Sequence, residues 1–208
     1  MRAVDNVVPV TAPGHADIPD LAAIAAAATW DTPTAGWLVP DPQQRPGVLH
    51  AWYTILIEHA LRHGQVDLLA DRSAAAIWLD RTRPVPAPDH FLRRLTGTCG
   101  KHAIAVLRYE QLLETQRPAT GHLQLAVLAA PGPKRAAVLL AHRHQRLDQM
   151  RIAAHGIAGS LDELRLMTAV GYLPGEAFPL PDGGPSMWPL WRPPRAVRAR
   201  ARHARRAA

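Results

Sequence analysis

The sequence predicts one α/β (α+β) domain in which a mixed central sheet is flanked by helices. Stretches with strand-like alternation follow stretches with helical periodicity along most of the chain. The 208 residues, 48% hydrophobic and 20% charged, are enough for one buried core. No apolar run approaches the roughly 20 residues of a membrane helix. We therefore expect a cytoplasmic protein that does not enter a membrane, with one domain over residues 1–191 and a tail over residues 192–208.

The first half of the chain is predicted to alternate between the two element types. Apolar alternation marks strands, and apolar residues three and four positions apart mark helices. The predicted elements are a strand over 4–10, a helix over 21–30, a proline-containing loop over 33–40, a helix over 46–63, and strands over 65–70 and 74–79. A short turn joins the last two strands, which predicts a hairpin.

The second half repeats the pattern and ends in strands. Residues 122–130 form the most strand-like run, and Pro131-Gly132-Pro133 interrupts it directly before a helix, which is typical of a βα unit. The predicted elements are helices over 101–115, 134–150 and 161–170, strands over 122–130 and 152–157, and a strand pair around 179–191. Ser160 is the predicted cap of the last helix.

The positive charge is concentrated at the C-terminus. The net charge is +7, and residues 192–208 contain seven arginines and no acidic residue, so the rest of the chain is balanced. Such a segment suits an anionic partner, although charged tails are also common as solvated surface. The single cysteine, Cys99, excludes an intrachain disulfide and a cysteine-based zinc site, and we expect no metal. The seven arginines are Arg192, Arg195, Arg198, Arg200, Arg202, Arg205 and Arg206.

Three segments resemble bacterial members of the GNAT N-acetyltransferase superfamily. They read TWDTPTAGWLVPDPQQRPGVLHAWYTILIEHALRHGQVDLL from residue 29, AAAIWLDRTRPVP from residue 74 and GYLPGEAFPLPDGGPSMWPLWRPP from residue 171. The resemblance extends over residues 5–195. It implies a mixed sheet of six or seven strands, splayed between the fourth and fifth strands, with the acyl donor in the splay. The implied reaction is acyl transfer to an amine.

Two positions depart from the family's pattern. A loop of the type Gln/Arg-x-x-Gly-x-Gly/Ala normally follows the fourth strand and holds the pyrophosphate of coenzyme A through main-chain N–H groups. Here the loop contains Pro131 and Pro133, which have no N–H to donate. Many relatives also place a tyrosine, the acid for the leaving thiolate, where this chain has Met167.

These departures favour a donor other than coenzyme A. Our leading hypothesis is aminoacyl-tRNA, because its leaving group is a ribose hydroxyl and its bulk is polyanionic, so that the Arg-rich tail would contact phosphates. No cofactor is then required. Acetyl-CoA is the alternative donor, and a non-catalytic binding protein on the same scaffold is a third possibility. The residues predicted to bind the donor are Lys134, Arg135, Arg143 and Arg146.

Histidines are the candidates for proton transfer, because a neutral imidazole near pH 7 accepts a proton from an attacking amine. His122 opens the strand that borders the splay and is the predicted base, and His155 lies in the partner strand. The alternative for both is a structural histidine. A small-molecule amine is the predicted acceptor, and the residues predicted to bind it, in the loop after the first helix and on the second helix, are Trp30, Asp31, Trp37 and Tyr53.

Overall fold

A computed structural model describes residues 9–195, which contain seven helices and eight strands. The helices are α1 (Ile18–Thr29), α2 (Pro33–Leu38), α3 (Arg45–His63), α4 (Phe91–Cys99), α5 (Ala103–Thr115), α6 (Pro133–Met150) and α7 (Leu161–Ala169). The strands are β1 (Val10–Thr11), β2 (Gly64–Leu69), β3 (Ala75–Asp80), β4 (His122–Ala129), β5 (Ala153–Ala158), β6 (Leu173–Pro174), β7 (Phe178–Pro179) and β8 (Ser186–Arg192). Residues 4–8 of the predicted first strand lie outside the described range.

The strands form one mixed sheet in the order β1-β2-β3-β4-β5-β8-β6, and β7 pairs with β8. Only β4 and β5 are parallel among these neighbours, and α6 forms the crossover between them. The predicted α/β class and mixed sheet are therefore confirmed. The strand number exceeds the expected six or seven because two-residue strands such as β6 and β7 pair with β8.

The sheet opens between β4 and β5. These strands pair only at His122–Ala153, Leu123–Ala154 and Gln124–His155. Beyond Gln124, β4 continues along β3 while β5 continues along β8. Ala126 is an extra residue in β4 that has no partner on β3, and this bulge bends the strand at the same point. The predicted splay is thus present as a V-shaped opening.

Helices cover both faces of the sheet. One hydrophobic cluster joins α1, α3, α4 and α5 to one face, and a second joins α6 and α7 to the other, with Trp78 fully buried in it. Along the chain that the structure describes, no helix has the length and apolar character to cross a membrane.

Two segments differ from the sequence prediction. Part of the predicted loop over 33–40 is the helix α2, because Thr32 caps its N-terminus and Pro33 occupies the first helical position, where no N–H is needed. The amphipathic helix α4 lies in a region to which no element was assigned, and it ends where Gly100 takes a positive φ of 53°.

Candidate active site

A cavity of about 150 Å³ lies beside the V-shaped opening. Its walls come from the ends of α1 and β3, from α2, α3 and α5, from the unpaired half of β4, and from the start of α7. Gln124, Ala126 and Ile157 from the two diverging strands line it, so the cavity and the opening are continuous with one another. The carboxylates of Glu110, Glu114 and Glu163 and the guanidinium of Arg81 also line it.

Glu110 is the titratable group best suited to chemistry in this cavity. It is half-buried on α5, and one carboxylate oxygen accepts a hydrogen bond from Trp52 Nε1 at 2.9 Å. Burial raises its pKa to about 7, against the smaller lowering effects of the Trp52 hydrogen bond and of Arg81. A carboxylate with this pKa exchanges protons readily near neutral pH.

Aromatic rings form the wall beside Glu110. Trp52 stacks on Tyr53 with a centroid distance of 4.8 Å, and it meets Tyr109 edge-on at 5.7 Å. The Tyr53 hydroxyl shares a hydrogen bond of 2.9 Å with the Thr29 hydroxyl. Burial raises the pKa of Tyr53 to about 12, so this phenol stays protonated at neutral pH.

Glu163 enters the cavity from the first turn of α7. Its backbone N–H donates to Ser160 Oγ at 3.2 Å, and its carboxylate accepts from the Gly159 N–H at 2.9 Å. The bond to Ser160 Oγ confirms Ser160 as the predicted cap, and the bond from Gly159 ties the Glu163 side chain to the residue before the cap. Burial raises the pKa of Glu163 as well, with the Gly159 hydrogen bond lowering it.

Arg81, after the end of β3, is the cationic group of the cavity wall. Its Nε donates to Gln124 Oε1 at 2.9 Å, and a terminal nitrogen lies 3.9 Å from a Glu114 carboxylate oxygen. These contacts fix Gln124 on β4 and neutralise Glu114 in part. Glu110 and Glu163 have no such ion pair with any of the described residues.

The predicted catalytic histidines lie near this cavity without lining it. Both are buried on β4 and β5, with ring centroids 5.3 Å apart, and His155 pairs with Gln124, whose side chain does line the cavity. His122 Nδ1 donates to the Thr120 carbonyl at 2.7 Å, while its Nε2 and both nitrogens of His155 lack partners among the described residues. Burial lowers the pKa of both rings, that of His155 to about 4. Their catalytic roles stay predictions.

Of the four residues predicted to bind the acceptor, only Tyr53 lines the cavity. Trp30 and Asp31 are exposed at the end of α1. Trp37 donates its Nε1–H to the Pro181 carbonyl at 2.9 Å and packs toward the C-terminal segment. The predicted loop contributes through its threonines instead, since Thr32 and Thr34 line the cavity beside Thr29.

The predicted donor-binding cations divide into buried and exposed groups. Arg143 is 4% exposed and forms a two-pronged ion pair with Asp67, whose carboxylate also accepts from Trp78 Nε1. It is therefore a structural residue, and its assignment to donor binding was wrong. Arg135 is engaged by Asp71 and Ser73 in the turn between β2 and β3. Lys134 and Arg146 are exposed on α6.

Arg192 likewise does not belong to a surface tail. It is the last residue of β8, only 2% exposed, and its two terminal nitrogens each donate to Asp148 at 2.8 Å. The main-chain N–H of Arg195 donates to the same carboxylate. Arg192 is therefore removed from the set predicted to contact tRNA. The five other arginines of that set, from Arg198 to Arg206, lie outside the described residues.

The loop between β4 and α6 offers few main-chain N–H donors, as its prolines predict. Gly132 takes a φ of 100°, and its N–H donates to the Ala130 carbonyl at 2.8 Å. Because the prolines have no N–H, the first backbone donors of α6 toward this loop come from Lys134 and Arg135. Met167 lines the cavity and lies against Gly156. Because its side chain is a thioether, it has no proton to transfer to a leaving group.

Sequence reasoning missed Glu110, although a signal was present. The buried positions of α5 include Val106 and Tyr109, and Glu110 falls four residues after Val106 on the same side of the helix. A carboxylate at such a position has either a buried partner or a cavity beside it. Glu110 has both.

Comparison with known proteins supports the fold. No protein-family model and no curated protein matches the sequence. Among solved structures, histone acetyltransferase HPA2 and related acetyltransferase from Corynebacterium glutamicum is 21% identical, with a TM-score of 0.65 over 91% of this chain and 98% of that one. The Drosophila melanogaster polyamine N-acetyltransferase is 16% identical, with a TM-score of 0.63 over 89% and 99%. Arylalkylamine N-acetyltransferase 2 from Aedes aegypti is 10% identical, with a TM-score of 0.57 over 90% and 99%. Together with the opening between β4 and β5, these likenesses show that the chain has the fold of the GNAT N-acetyltransferases.

Proposed function

We propose that this chain is an N-acyltransferase that moves an acyl group from a thioester donor to a primary amine bound in the cavity. The observation that carries the proposal is the Glu110 carboxylate, with a pKa of about 7, on the wall of a cavity that meets the opening between β4 and β5. An amine in water is mostly an ammonium ion and must lose a proton before its nitrogen can attack. Glu110 is placed to take that proton.

The donor side of the proposal rests on the edge of β4. Residues 125–129 have no β5 partner, so their main-chain groups on that side are available to a strand-like ligand. The pantetheine arm of an acyl-CoA is extended and contains two amide groups, which matches such an edge. Lys134, exposed at the start of α6, is the candidate for contact with the phosphates.

The reaction balances with these residues. Glu110 accepts one proton from the acceptor ammonium, and the freed amine attacks the thioester carbonyl, which the bulged main chain at Ala126 polarises. The new C–N bond forms and the C–S bond breaks. The second proton lost by the nitrogen ends on the departing thiolate, and Glu110 returns its own proton to solvent.

The aminoacyl-tRNA hypothesis takes second place as the donor. It drew on the positive charge of the chain for phosphate contacts, and two of the arginines assigned to such contacts, Arg143 and Arg192, are buried in ion pairs. A gel shift of the full chain with aminoacylated and bare tRNA, beside a variant that ends after Arg195 and so keeps the Arg192–Asp148 ion pair, tests what remains of it. Binding that requires the arginine segment would restore tRNA as the leading donor.

The direct test is acyl transfer by the purified full chain, with acetyl-CoA and a panel of primary amines, followed by thiol release and by the mass of the product. We expect Glu110→Gln to lower kcat/KM at least about 100-fold, because general-base catalysis typically contributes about 10²–10⁴. The matched control is Glu58→Gln on α3, since Glu58 pairs with Arg94 outside the cavity. Full activity of the Glu110 variant together with loss in a His122→Gln variant would return the base to His122. Absence of transfer to every amine would favour a binding protein on this scaffold.

A further inference from the structure

The ionisable side chains of the cavity wall leave an excess of negative charge. Glu110, Glu114 and Glu163 face a single cation, Arg81, and the ion pair of Arg81 is with Glu114. Glu110 and Glu163 therefore line a half-buried space without a cationic partner among residues 9–195. A partly desolvated carboxylate of this kind is unfavourable until a cation approaches it. Two such carboxylates in one cavity suit a ligand with two cationic groups.

Each carboxylate is anchored by one oxygen only. In Glu110, Oε1 accepts from Trp52 Nε1, and in Glu163, Oε2 accepts from the Gly159 N–H. The second oxygen of each has no hydrogen-bond partner in the described part of the chain. The two groups come from different helices, α5 and α7, so they approach the cavity from separate walls. Each is thus held in place while keeping one acceptor oxygen for a ligand.

The wall that both carboxylates share is aromatic, and one of its hydroxyl groups has no partner. Tyr53 and Tyr109 line the cavity together with Glu110 and Glu163. Tyr109 is nine-tenths buried, yet its hydroxyl makes no hydrogen bond to any described residue. The hydroxyl oxygen is not fully enclosed, so it is open to the cavity and can hydrogen-bond a ligand there. Tyrosine faces also attract ammonium groups and cover an alkyl chain.

We propose that the acceptor is a diamine, one amino group of which is acylated beside Glu110 while the second ammonium group is held by Glu163, with the alkyl chain along Tyr53 and Tyr109. This inference rests on the proposed acyltransferase function and narrows its substrate class.

The test compares α,ω-diaminoalkanes with n-alkylamines of the same carbon number, using the full chain and acetyl-CoA. A hydrogen bond to a charged group is worth about 1.5–3 kcal/mol, so we expect kcat/KM for the best diamine to exceed that of its monoamine about 10- to 100-fold. Glu163→Gln should reduce this ratio at least tenfold, mainly through KM for the diamine. The fold should survive, because the glutamine side-chain oxygen can also accept from the Gly159 N–H. Asp162→Asn is the matched control, since Asp162 lies on the same turn, exposed and paired with Arg165.

Two outcomes would overturn the inference. If monoamines react as well as diamines, the diamine site is refuted and the acyltransferase function stands. If Glu163→Gln leaves the diamine preference unchanged, the role of Glu163 is refuted. Calorimetric titration of the full chain with the same diamines distinguishes failure of the diamine site from failure of the proposed acyltransferase function. Diamine binding that depends on Glu163, in a chain that acylates no amine, would support the diamine site and refute the proposed function.

Discussion

Glu110→Gln is expected to stabilise the protein at pH 8 while it lowers its activity. The variant removes the charge and keeps a carbonyl oxygen that accepts from Trp52 Nε1. The difference between the folded pKa of about 7 and the ordinary value of 4.5 corresponds to roughly 3 kcal/mol. This is the free energy by which the buried carboxylate destabilises the folded chain when it is fully ionised.

The sign of the pH dependence follows from the raised pKa. Between pH 4.5 and 7 the folded chain holds a proton on Glu110 that the unfolded chain has lost, so the contribution of this group to stability falls as pH rises. The full difference between the variant and the natural chain is therefore expected at pH 8 and almost none at pH 4.5. For a domain of this size, roughly 3 kcal/mol raises Tm by about 6–12 °C. Thermal unfolding of both proteins at pH 8 and at pH 4.5–5 measures it.

The same group determines the pH profile of activity. Because Glu110 must be ionised to accept a proton, kcat/KM of the natural chain is expected to rise through a pKa near 7, and the residual activity of Glu110→Gln should lack this step. Equal Tm values for the two proteins at pH 8 would refute the assignment of a raised pKa. A higher Tm of Glu110→Gln together with full activity would refute the role of Glu110 as the base.

Two further predictions concern the fold that holds the site. Asp67→Ala leaves the buried guanidinium of Arg143 without its partner. We expect the free energy of unfolding, measured by urea titration, to fall by about 3–5 kcal/mol. An unchanged free energy of unfolding would mean that solvent reaches Arg143. Gly64→Ala places a Cβ 1.9 Å from the Trp78 carbonyl oxygen and should prevent folding or sharply lower Tm, while Gly47→Ala, with no atom within 4 Å, should leave Tm equal or slightly higher. Equal Tm values for these two glycine variants would contradict the close approach of β2 and β3.

Periodicity in the sequence was sufficient for most of the fold. Helix α3 and the hairpin of β2 and β3 were predicted nearly to the residue, because their apolar positions face a core on one or both sides. Helix α2 was not predicted, since Pro33 was taken as a break when it occupies the first position of a helix capped by Thr32. Short elements of this kind depend on local capping rather than on periodicity.

The site was harder to predict because its charges depend on partners that are distant in the sequence. Arg143 and Arg192 were assigned to exposed cationic surfaces, but their partners Asp67 and Asp148 lie 76 and 44 residues away and are brought to them by the sheet. Tyr53 was predicted to bind the acceptor; it lines the cavity, and the binding role stays a prediction. Glu110 was missed, because a helical pattern gives the face on which a residue lies but does not reveal that the face borders a cavity.

The contrast between completed and incomplete buried charge distinguishes structural from functional residues here. The Arg143–Asp67 pair uses two nitrogens of the guanidinium and is closed to solvent, and both terminal nitrogens of Arg192 donate to Asp148, so in each pair the two charges compensate one another. Glu110 and Glu163 are each held by one neutral donor and keep a raised pKa, which means that the fold tolerates an unfavourable charge at both positions. A structural role would be filled at lower cost by glutamine, which accepts the same hydrogen bonds without a charge. The carboxylates are therefore best explained by a cationic ligand whose binding compensates for their burial, and that requirement leads to an amine.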